Sequence, residues 1–149
     1  MRPIRLSLQA FGPFATTEVV DFRSALETGL FGIYGQTGAG KSTLFSAMSF
    51  ALFGAPTKTD QEPRSLRSDH AASDLPTEVE FVFELGTKAY LIRRRPAQER
   101  PKARGEGTTE DAAEASLFDV TGIPVDTLGP SQSGRVIAEK KVSLVGQQV

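Results

Sequence analysis

A glycine-rich motif between residues 35 and 42 constrains the fold of this chain more than any other feature of its sequence. Gly35 is followed by four residues and then by Gly40, Lys41 and Ser42, which is the G-x-x-x-x-G-K-[ST] pattern of a phosphate-binding loop. The apolar run Leu30 to Tyr34 precedes the motif and predicts a buried strand of a parallel sheet, with Tyr34 in the core. Because the motif requires a strand before the loop, the pattern favours a nucleotide-binding α/β fold.

A helix is predicted directly after the loop. Apolar residues recur there at the spacing of one helix face, at Leu44, Ala47, Met48, Ala51 and Leu52. The predicted helix runs from Lys41 to about Phe53, and Gly54-Ala55-Pro56 ends it. The alternative is a glycine-rich turn before an ordinary helix with an exposed lysine. It leaves unexplained why strand and helix patterns both occur where the motif needs them.

The residue types in the loop suit the phosphates of a nucleotide and its metal ion. Glycines let backbone N–H groups approach phosphate oxygens at a helix N-terminus, where the helix dipole favours an anion. Lys41 is the predicted catalytic residue that reaches the β- and γ-phosphates, Ser42 is the predicted Mg²⁺ ligand, and Thr43 could donate to the α-phosphate. The predicted binding residues are Gly35, Gln36, Thr37, Gly38, Ala39, Gly40, Lys41, Ser42 and Thr43.

The composition is that of a globular chain and excludes several other classes of protein. Of 149 residues, 39% are hydrophobic and 23% are charged, which suits one folded domain. The net charge of −1 excludes a chain that is basic throughout, so any nucleic-acid-binding surface must be local. The absence of cysteine excludes disulfides and cysteine-based zinc sites, and no apolar run approaches the roughly 18 residues of a membrane span. We therefore expect a cytoplasmic protein with no membrane partner.

Alternating apolar and polar residues predict an antiparallel β-layer beside the nucleotide-binding unit. Ile4 to Leu8 and Glu18 to Phe22 form a predicted hairpin. Thr77 to Leu85 and Lys88 to Arg95 form a second predicted hairpin, and Glu114 to Val120 is a further strand. The predicted fold is an α/β P-loop NTPase lobe, in which a mixed sheet carries the phosphate loop and the antiparallel β-layer packs beside it.

Three more structural predictions follow from local patterns. The alternation places Phe81, Phe83 and Leu85 in the core. Pro96 to Asp111 is rich in proline, glycine and charge, which predicts a mobile segment. Arg135 to Val149 has apolar residues along one side, which predicts a helix.

Two sequence strings raise the possibility of a GTPase, and their order argues against it. A GTPase carries D-x-x-G and then [NT]-K-x-D. Here Asp119-Val120-Thr121-Gly122 follows Thr57-Lys58-Thr59-Asp60, which is the reverse order. We therefore interpret both strings as coincidental and predict ATP, with Mg²⁺, as the cofactor.

The chain lacks one part of a complete ATPase site. Such a site needs an acidic residue at the end of a second buried strand, usually with a glutamate base. The nearest sequence, Leu117-Phe118-Asp119, is short and lacks the glutamate. A stand-alone small-molecule kinase is the alternative function, but it would carry lid arginines, and the arginines here cluster in a hairpin. A binding module that uses nucleotide only as structural support is a third possibility.

The chain resembles the N-terminal ATPase segment of SbcC-type DNA-repair exonuclease subunits, which belong to the SMC-like ABC ATPases. The resemblance covers nearly the whole chain, through MRPIRLSLQAFGPF with VVDF, GLFGIYGQTGAGKSTLFSAMSFALFG, SLRSDHA, TEVEFVFELGTKAYLIRRRP and RPKARGEGTTE. It implies that residues 1–149 are the N-terminal lobe of a split ABC-type ATPase head, as a fragment of a longer chain.

The resemblance also implies what would complete this lobe. In the family, a C-terminal lobe beyond a long coiled coil supplies the signature motif, the Asp-Glu strand and a histidine switch. Two such heads form a homodimer around two ATP molecules, and an SbcD-type nuclease and double-stranded DNA are the further partners. The implied location is the nucleoid. Gln147 and Gln148 do not follow an apolar strand, so we do not assign them to the family's glutamine loop.

A cluster of cations near residue 95 is the candidate DNA-binding feature. Arg93, Arg94 and Arg95 are followed by Arg100, Lys102 and Arg104, with only one acid among them. DNA-phosphate contacts are electrostatic and tolerate varied geometry, so this cluster could face a duplex. A solvated hairpin balanced by the acids that follow it is an equally good interpretation.

Three other residues or segments have weaker functional interpretations. The resemblance suggests that Arg5 and the turn Gly12-Pro13-Phe14 border the nucleotide. His70 stands alone, which disfavours a metal site and favours an ordinary loop histidine. Arg67 could support either the nucleotide site or the interface between heads.

Overall fold

The computed structural model describes residues 1–57, 63–102, 106–129 and 134–139. The strands are β1 Arg2–Phe11, β2 Phe14–Asp21, β3 Glu78–Leu85, β4 Lys88–Arg95, β5 Gln98–Pro101, β6 Thr108–Asp111, β7 Glu114–Asp119 and β8 Arg135–Ala138. The helix α1 is Lys41–Phe53, and short 3₁₀ turns cover Ala25–Thr28, Pro63–Leu66 and Val125–Thr127. Six strands form one sheet in the order β2-β1-β3-β4-β7-β8, and β5 and β6 form a separate hairpin.

The six-stranded sheet is antiparallel at every described pairing, and both of its faces bury apolar side chains. One face packs against α1 through fully buried residues such as Leu6, Phe81 and Ile92. The other face carries a smaller cluster that includes Val82 and Leu91. Burying one such side chain stabilises the fold by about 1.5–3 kcal/mol, so the alternation in β1, β3 and β4 determines both faces.

The helix α1 has the predicted bounds, and glycines define both of its ends. Gly40 and Gly54 adopt left-handed backbone angles at the N-cap and C-cap, and the Gly54 N–H donates to the Phe50 carbonyl over 2.8 Å. The buried face is displaced slightly from the predicted one, since Phe50 is only 2% exposed and its ring lies 6.1 Å from that of Phe11. This face fixes the helix on the sheet, with its N-terminus opening at the phosphate loop.

The predicted strand before the loop does not form, and the prediction of a mixed sheet was wrong for the described part of the chain. Residues 30–36 have no regular secondary structure. Leu30 is 86% exposed and Tyr34 is 94% exposed, so Tyr34 is not a core residue. A parallel strand needs a neighbouring strand for its backbone hydrogen bonds. The described sheet offers none, because its strands pair only with one another.

Two further segments differ from their predictions. Arg135–Ala138 is the strand β8 and not the start of a helix, because it pairs with β7, where Val136 lies opposite Phe118. The rest of that predicted helix, residues 140–149 with Gln147 and Gln148, lies outside the described residues. The segment predicted to be mobile contains the hairpin β5–β6, in which Glu99 lies opposite Glu110.

The core prediction for β3 is confirmed except at its last residue. Phe81 and Phe83 are 0% and 3% exposed, whereas Leu85 is 53% exposed. Leu85 directly precedes the β3–β4 turn, at the end of the strand, and half of its surface stays in contact with solvent.

Candidate nucleotide-binding site

The phosphate loop forms a tight turn that leads directly into α1. Gly38 and Gly40 have φ angles of +86° and +83°, a region in which a side chain is strained. The Ala39 N–H donates to the Gln36 carbonyl over 3.2 Å, which closes the turn. Gly40 is the N-cap of α1, so the first N–H groups of the helix open toward the loop.

The side chain of Lys41 lies over the loop. Its Nζ donates to the Gly35 carbonyl over 2.7 Å and to the Gln36 carbonyl over 2.6 Å. Both acceptors belong to the loop itself, so the ammonium group is already held beside the turn. A phosphate oxygen could replace these carbonyls as a charge-assisted acceptor without a large movement of the side chain.

A cleft of about 400 Å³ opens beside the loop. It is lined by Pro13, Thr37, Gly38, Gly40, Lys41, Ser42 and Thr43. Backbone N–H groups, one ammonium group and hydroxyl groups of this kind suit phosphate oxygens and an oxygen-bound divalent cation. The lining therefore fits the triphosphate of a nucleotide and Mg²⁺, and every lining residue except Pro13 belongs to the binding set predicted from the motif.

The turn between β1 and β2 packs tightly against the loop. A Cβ on Gly40 would lie 2.6 Å from Phe14 Cζ, and one on Gly12 would lie 2.8 Å from Thr43 Cγ2. The hairpin turn and the loop are thus in contact at two glycines, each of which leaves room for a side chain from the other segment. The suggested place of Gly12-Pro13-Phe14 beside the nucleotide agrees with this contact and with Pro13 in the cleft lining.

Arg5 is not part of this site. Its guanidinium group donates to the Val125 carbonyl over 2.9 Å and to the Leu128 carbonyl over 3.3 Å. The suggestion that Arg5 borders the nucleotide was wrong, since these bonds direct the side chain to the 125–128 turn.

The segment around Arg67 supports the β1–β2 turn from behind. The Gly12 N–H donates to the Leu66 carbonyl over 2.8 Å, and the Ser68 N–H donates to the Ala10 carbonyl over 2.9 Å. The guanidinium group of Arg67 donates to the carbonyls of Leu75 and Ala72 over 2.6 and 2.7 Å. Arg67 therefore orders the loop that holds the turn, which in turn contacts the phosphate loop.

The described residues contain no group of three or more metal-ligating side chains, and His70 is exposed. Asp119, the nearest match to an ATPase acid, does not line the cleft. Its carboxylate accepts hydrogen bonds from the Thr121 N–H at 3.0 Å and from Arg135 at 3.2 Å. Hydrogen bonds from Thr121, the largest cause, and from Arg135 hold the pKa of Asp119 at about 2. Asp119 thus stabilises the turn after β7.

The three arginines of β4 have different environments. Arg93 pairs with Glu80 at 2.5 Å, and Arg95, whose side chain is 43% exposed, pairs with Glu78. Arg94 is 1% exposed and lies on the opposite face of the sheet. The prediction that Arg94 contacts DNA was wrong, because the folded lobe encloses its side chain. Alternation along a strand is the signal that separates it from its neighbours.

The other predicted cations lie on or near the β5–β6 hairpin. Arg100 pairs with Asp111 at 2.8 Å, and both side chains are about half exposed. Arg104 lies outside the described residues. The acids opposite these arginines partly neutralise the surface, as the solvated-hairpin interpretation expected.

The loop, the helix and the hairpin turn form one phosphate-binding unit, and comparison with known sequences assigns it. A family model described as an AAA domain matches residues 5–129. The chain belongs to this AAA-domain family. The family match agrees with an ATPase and gives no support to the GTPase or small-molecule kinase alternatives.

Curated relatives of this AAA-domain chain share one name, which identifies them as the SbcC component of the nuclease SbcCD. The relative from Vibrio cholerae is 48% identical over 117 residues, which cover 78% of this chain. The relative from Lactococcus lactis is 45% identical over 117 residues, again 78% of the chain. The relative from Staphylococcus saprophyticus is 44% identical over 97 residues, or 65% of the chain. The predicted resemblance to an SbcC-type ATPase segment is confirmed.

The chain is short beside these relatives. The matched segments span 12%, 11% and 10% of the lengths of the three relatives. Within the described residues, no helix combines the length and the apolar character that crossing a membrane requires.

Proposed function

We propose that this AAA-domain chain is the N-terminal, nucleotide-binding lobe of a split ABC-type ATPase head, spanning residues 1–149. The observation that carries the proposal is the phosphate-sized cleft at the N-terminus of α1, with Lys41 Nζ held at the loop by Gly35 and Gln36. The head would bind ATP and couple its hydrolysis to a DNA double-strand-break repair nuclease in the cytoplasm.

The residues of this lobe would bind and orient the triphosphate. Lys41 would exchange its loop carbonyls for β- and γ-phosphate oxygens, and the N–H groups around Gly38 and Gly40 would donate to the same phosphates. The hydroxyls of Ser42 and Thr43 would hold Mg²⁺ and the α-phosphate. The bound cation would neutralise charge that develops on the γ-phosphate.

The cleft needs a second lobe before it can hydrolyse ATP. No carboxylate occurs among the described residues that line the cleft, so the base that orients the attacking water must come from elsewhere. Before the loop, Leu30 and Tyr34 are almost fully exposed, and Phe53, at the far end of α1, is 69% exposed. Burying such surface is worth about 25 cal/mol per Å², which would favour docking of the C-terminal lobe of the same protein.

Docking of that lobe would also give residues 30–34 the strand neighbours that this lobe lacks. We therefore propose that the strand predicted before the loop forms in the complete head, where the acidic strand of the C-terminal lobe lies next to it. A second head would then close the γ-phosphate side of the site, and an SbcD-type nuclease would act on the assembled homodimer.

The DNA contact is proposed for Arg93 and Arg95 only. Both arginines lie on the face of β4 that is opposite α1, and both are paired with glutamates of β3. A duplex would compete with these glutamates for the guanidinium groups, so the contact should depend on salt. If replacement of both arginines by alanine leaves the salt dependence of DNA binding by the full protein unchanged, the contact lies elsewhere.

Lys41→Ala in the full-length protein tests the nucleotide site. A hydrogen bond to a charged group contributes roughly 1.5–3 kcal/mol, so the loss of two should weaken ATP binding by at least about 100-fold. Titration calorimetry with ATP and Mg²⁺ measures the change, with Lys88→Ala, an exposed lysine of β4, as the control. Unchanged affinity in Lys41→Ala would remove the basis of the proposal.

A further inference from the structure

Strand β4 directs consecutive arginines to opposite faces of the sheet. Arg93 and Arg95 lie on the face away from α1, where Arg93 also lies 5.9 Å from the ring of Phe118. Ile92 and Arg94 share the face that packs against α1, and both are buried. The proposed DNA face and the nucleotide-binding helix therefore meet the same strand at adjacent residues.

Arg94 bonds the strand to the end of α1. Its Nε donates to the Ala51 carbonyl over 2.9 Å, and its Nη2 donates to the Leu52 carbonyl over 3.3 Å. Carbonyls in the last turn of a helix have no partner within the helix, and a cation there interacts favourably with the helix dipole. The guanidinium group thus supplies two donors where α1 needs them.

Packing alone does not account for a guanidinium group at this position. Arg94 is 1% exposed, it forms no ion pair with a described acid, and its Nη1 finds no hydrogen-bond partner among the described residues. Burial lowers the pKa of Arg94 below its ordinary value, because the interior disfavours the charged form. A methionine would fill similar space without this desolvation cost. What the guanidinium group adds is a directional link between β4 and α1.

The link acts at one end of a rigid element whose other end forms the ATP site. The 13 residues of α1 span roughly 20 Å at 1.5 Å per residue. Phe14 contacts Gly40 at the N-terminal end, and Arg94 holds the carbonyls at the C-terminal end. A change in the position of β4 would therefore be transmitted along α1 to Lys41.

We propose that Arg94 is a positioning residue that couples DNA contact on the outer face of β4 to ATP turnover at the phosphate loop. The inference rests on the proposed function, since it requires both the ATP site and the contact through Arg93 and Arg95. Duplex phosphates would draw these two arginines from Glu80 and Glu78, shift β4, and move α1 through the Arg94 hydrogen bonds.

The test compares Arg94→Met, Arg94→Lys and the surface control Lys88→Met in the full-length protein assembled with its nuclease partner. The ATP dissociation constant, and kcat and KM for ATP hydrolysis, are measured with and without a linear DNA duplex. Arg94→Met should keep the dissociation constant within about twofold of wild type and should reduce the stimulation of kcat by DNA about fivefold or more, a typical allosteric coupling. Arg94→Lys should restore part of the stimulation, because an ammonium group can still donate to a helix carbonyl.

The outcomes separate this inference from the proposed function. If the wild-type protein binds ATP and DNA and Arg94→Met keeps full DNA stimulation, the coupling role is wrong and the proposed function stands. A uniform loss of ATP affinity with an unchanged stimulation ratio also overturns the coupling role, because it indicates a structural part only. If Arg94→Met does not fold, judged by its thermal melt, Arg94→Lys decides, and unchanged stimulation in that folded variant counts against the inference. A wild-type protein that binds no ATP overturns both proposals.

Discussion

The two segments that flank the phosphate loop differ in how this lobe supports them. The segment after the loop, α1, is buried on the sheet, is closed by Gly54 and is bonded to β4 by Arg94. The segment before the loop, residues 30–34, belongs to neither sheet and exposes Leu30 and Tyr34. The loop is therefore anchored on one side only. A phosphate-binding motif can take its local shape from the helix and the hairpin turn, while the strand before it requires another lobe.

The largest expected effect compares one buried ring of the helix face with one exposed ring of the unsupported flank. Phe81 is 0% exposed and stacks on Phe83 at 5.4 Å, so Phe81→Ala should lower the free energy of unfolding by about 3–5 kcal/mol. Tyr34 is 94% exposed, so Tyr34→Ala should change it by less than about 0.5 kcal/mol. Urea denaturation of this chain measures both.

The same pair sharpens the comparison when it is measured in the full-length protein. There the C-terminal lobe should cover Tyr34, and Tyr34→Ala should become destabilising. An exposed-type, near-zero effect in both proteins would show that residues 30–34 are not an interface, and the proposed completion of the sheet would fail.

This difference also explains which parts of the fold were predictable from the sequence. The alternation of Leu6 and Leu8, or of Phe81 and Phe83, is decided within each strand by which side chains are buried. The helix bounds follow from Gly40 and Gly54. The 30–34 run and β8 depend on a neighbouring strand, because a short apolar run can be a strand only where a partner exists. Local pattern does not contain that information.

The candidate site was predictable in the same uneven way. The motif fixes the chemistry of Lys41 and Ser42 by residue type and spacing. The contact of Phe14 with Gly40 joins residues that are far apart in the chain, so no local spacing predicts it. Arg94 was open to prediction, since the period of two that places Ile92 in the core also places Arg94 there.

The next effect tests the anchored side of the loop at Gly40. Gly40 and Gly86 both have left-handed φ angles, of +83° and +63°, so alanine at either is strained by about 1–2 kcal/mol. Only at Gly40 would the new Cβ meet a neighbour, 2.6 Å from Phe14 Cζ, whereas nothing lies within 4 Å at Gly86. Gly40→Ala should therefore be less stable than Gly86→Ala by about a further 1–3 kcal/mol.

A double variant identifies the cause of that difference. Phe14→Ala combined with Gly40→Ala removes the overlap, so the two changes together should cost less than the sum of the separate changes. Additive costs in urea denaturation would mean that the hairpin turn does not hold the loop, and the loop would then be no better supported on its helix side than on its strand side.

The smallest effect concerns the far edge of the sheet, where β7 and β8 stabilise each other without help from the loop. The pKa of Asp119 is about 2, below its ordinary value of 3.8, because the Thr121 hydroxyl and N–H and the Arg135 guanidinium group favour the carboxylate. A carboxyl with a lowered pKa in the folded state stabilises the fold above the unfolded pKa, and this contribution is lost as the pH falls from about 4 toward 2. Asp119→Asn keeps an acceptor for the Thr121 N–H and removes the charge, so its unfolding free energy should fall less steeply than that of wild type across this range. Since Arg135 is largely exposed, adding salt to about 0.5 M should reduce the difference between the two proteins. Identical pH profiles would indicate that Asp119 titrates alike in the folded and unfolded chains, and that the edge of the sheet is held by the β7–β8 backbone pairing alone.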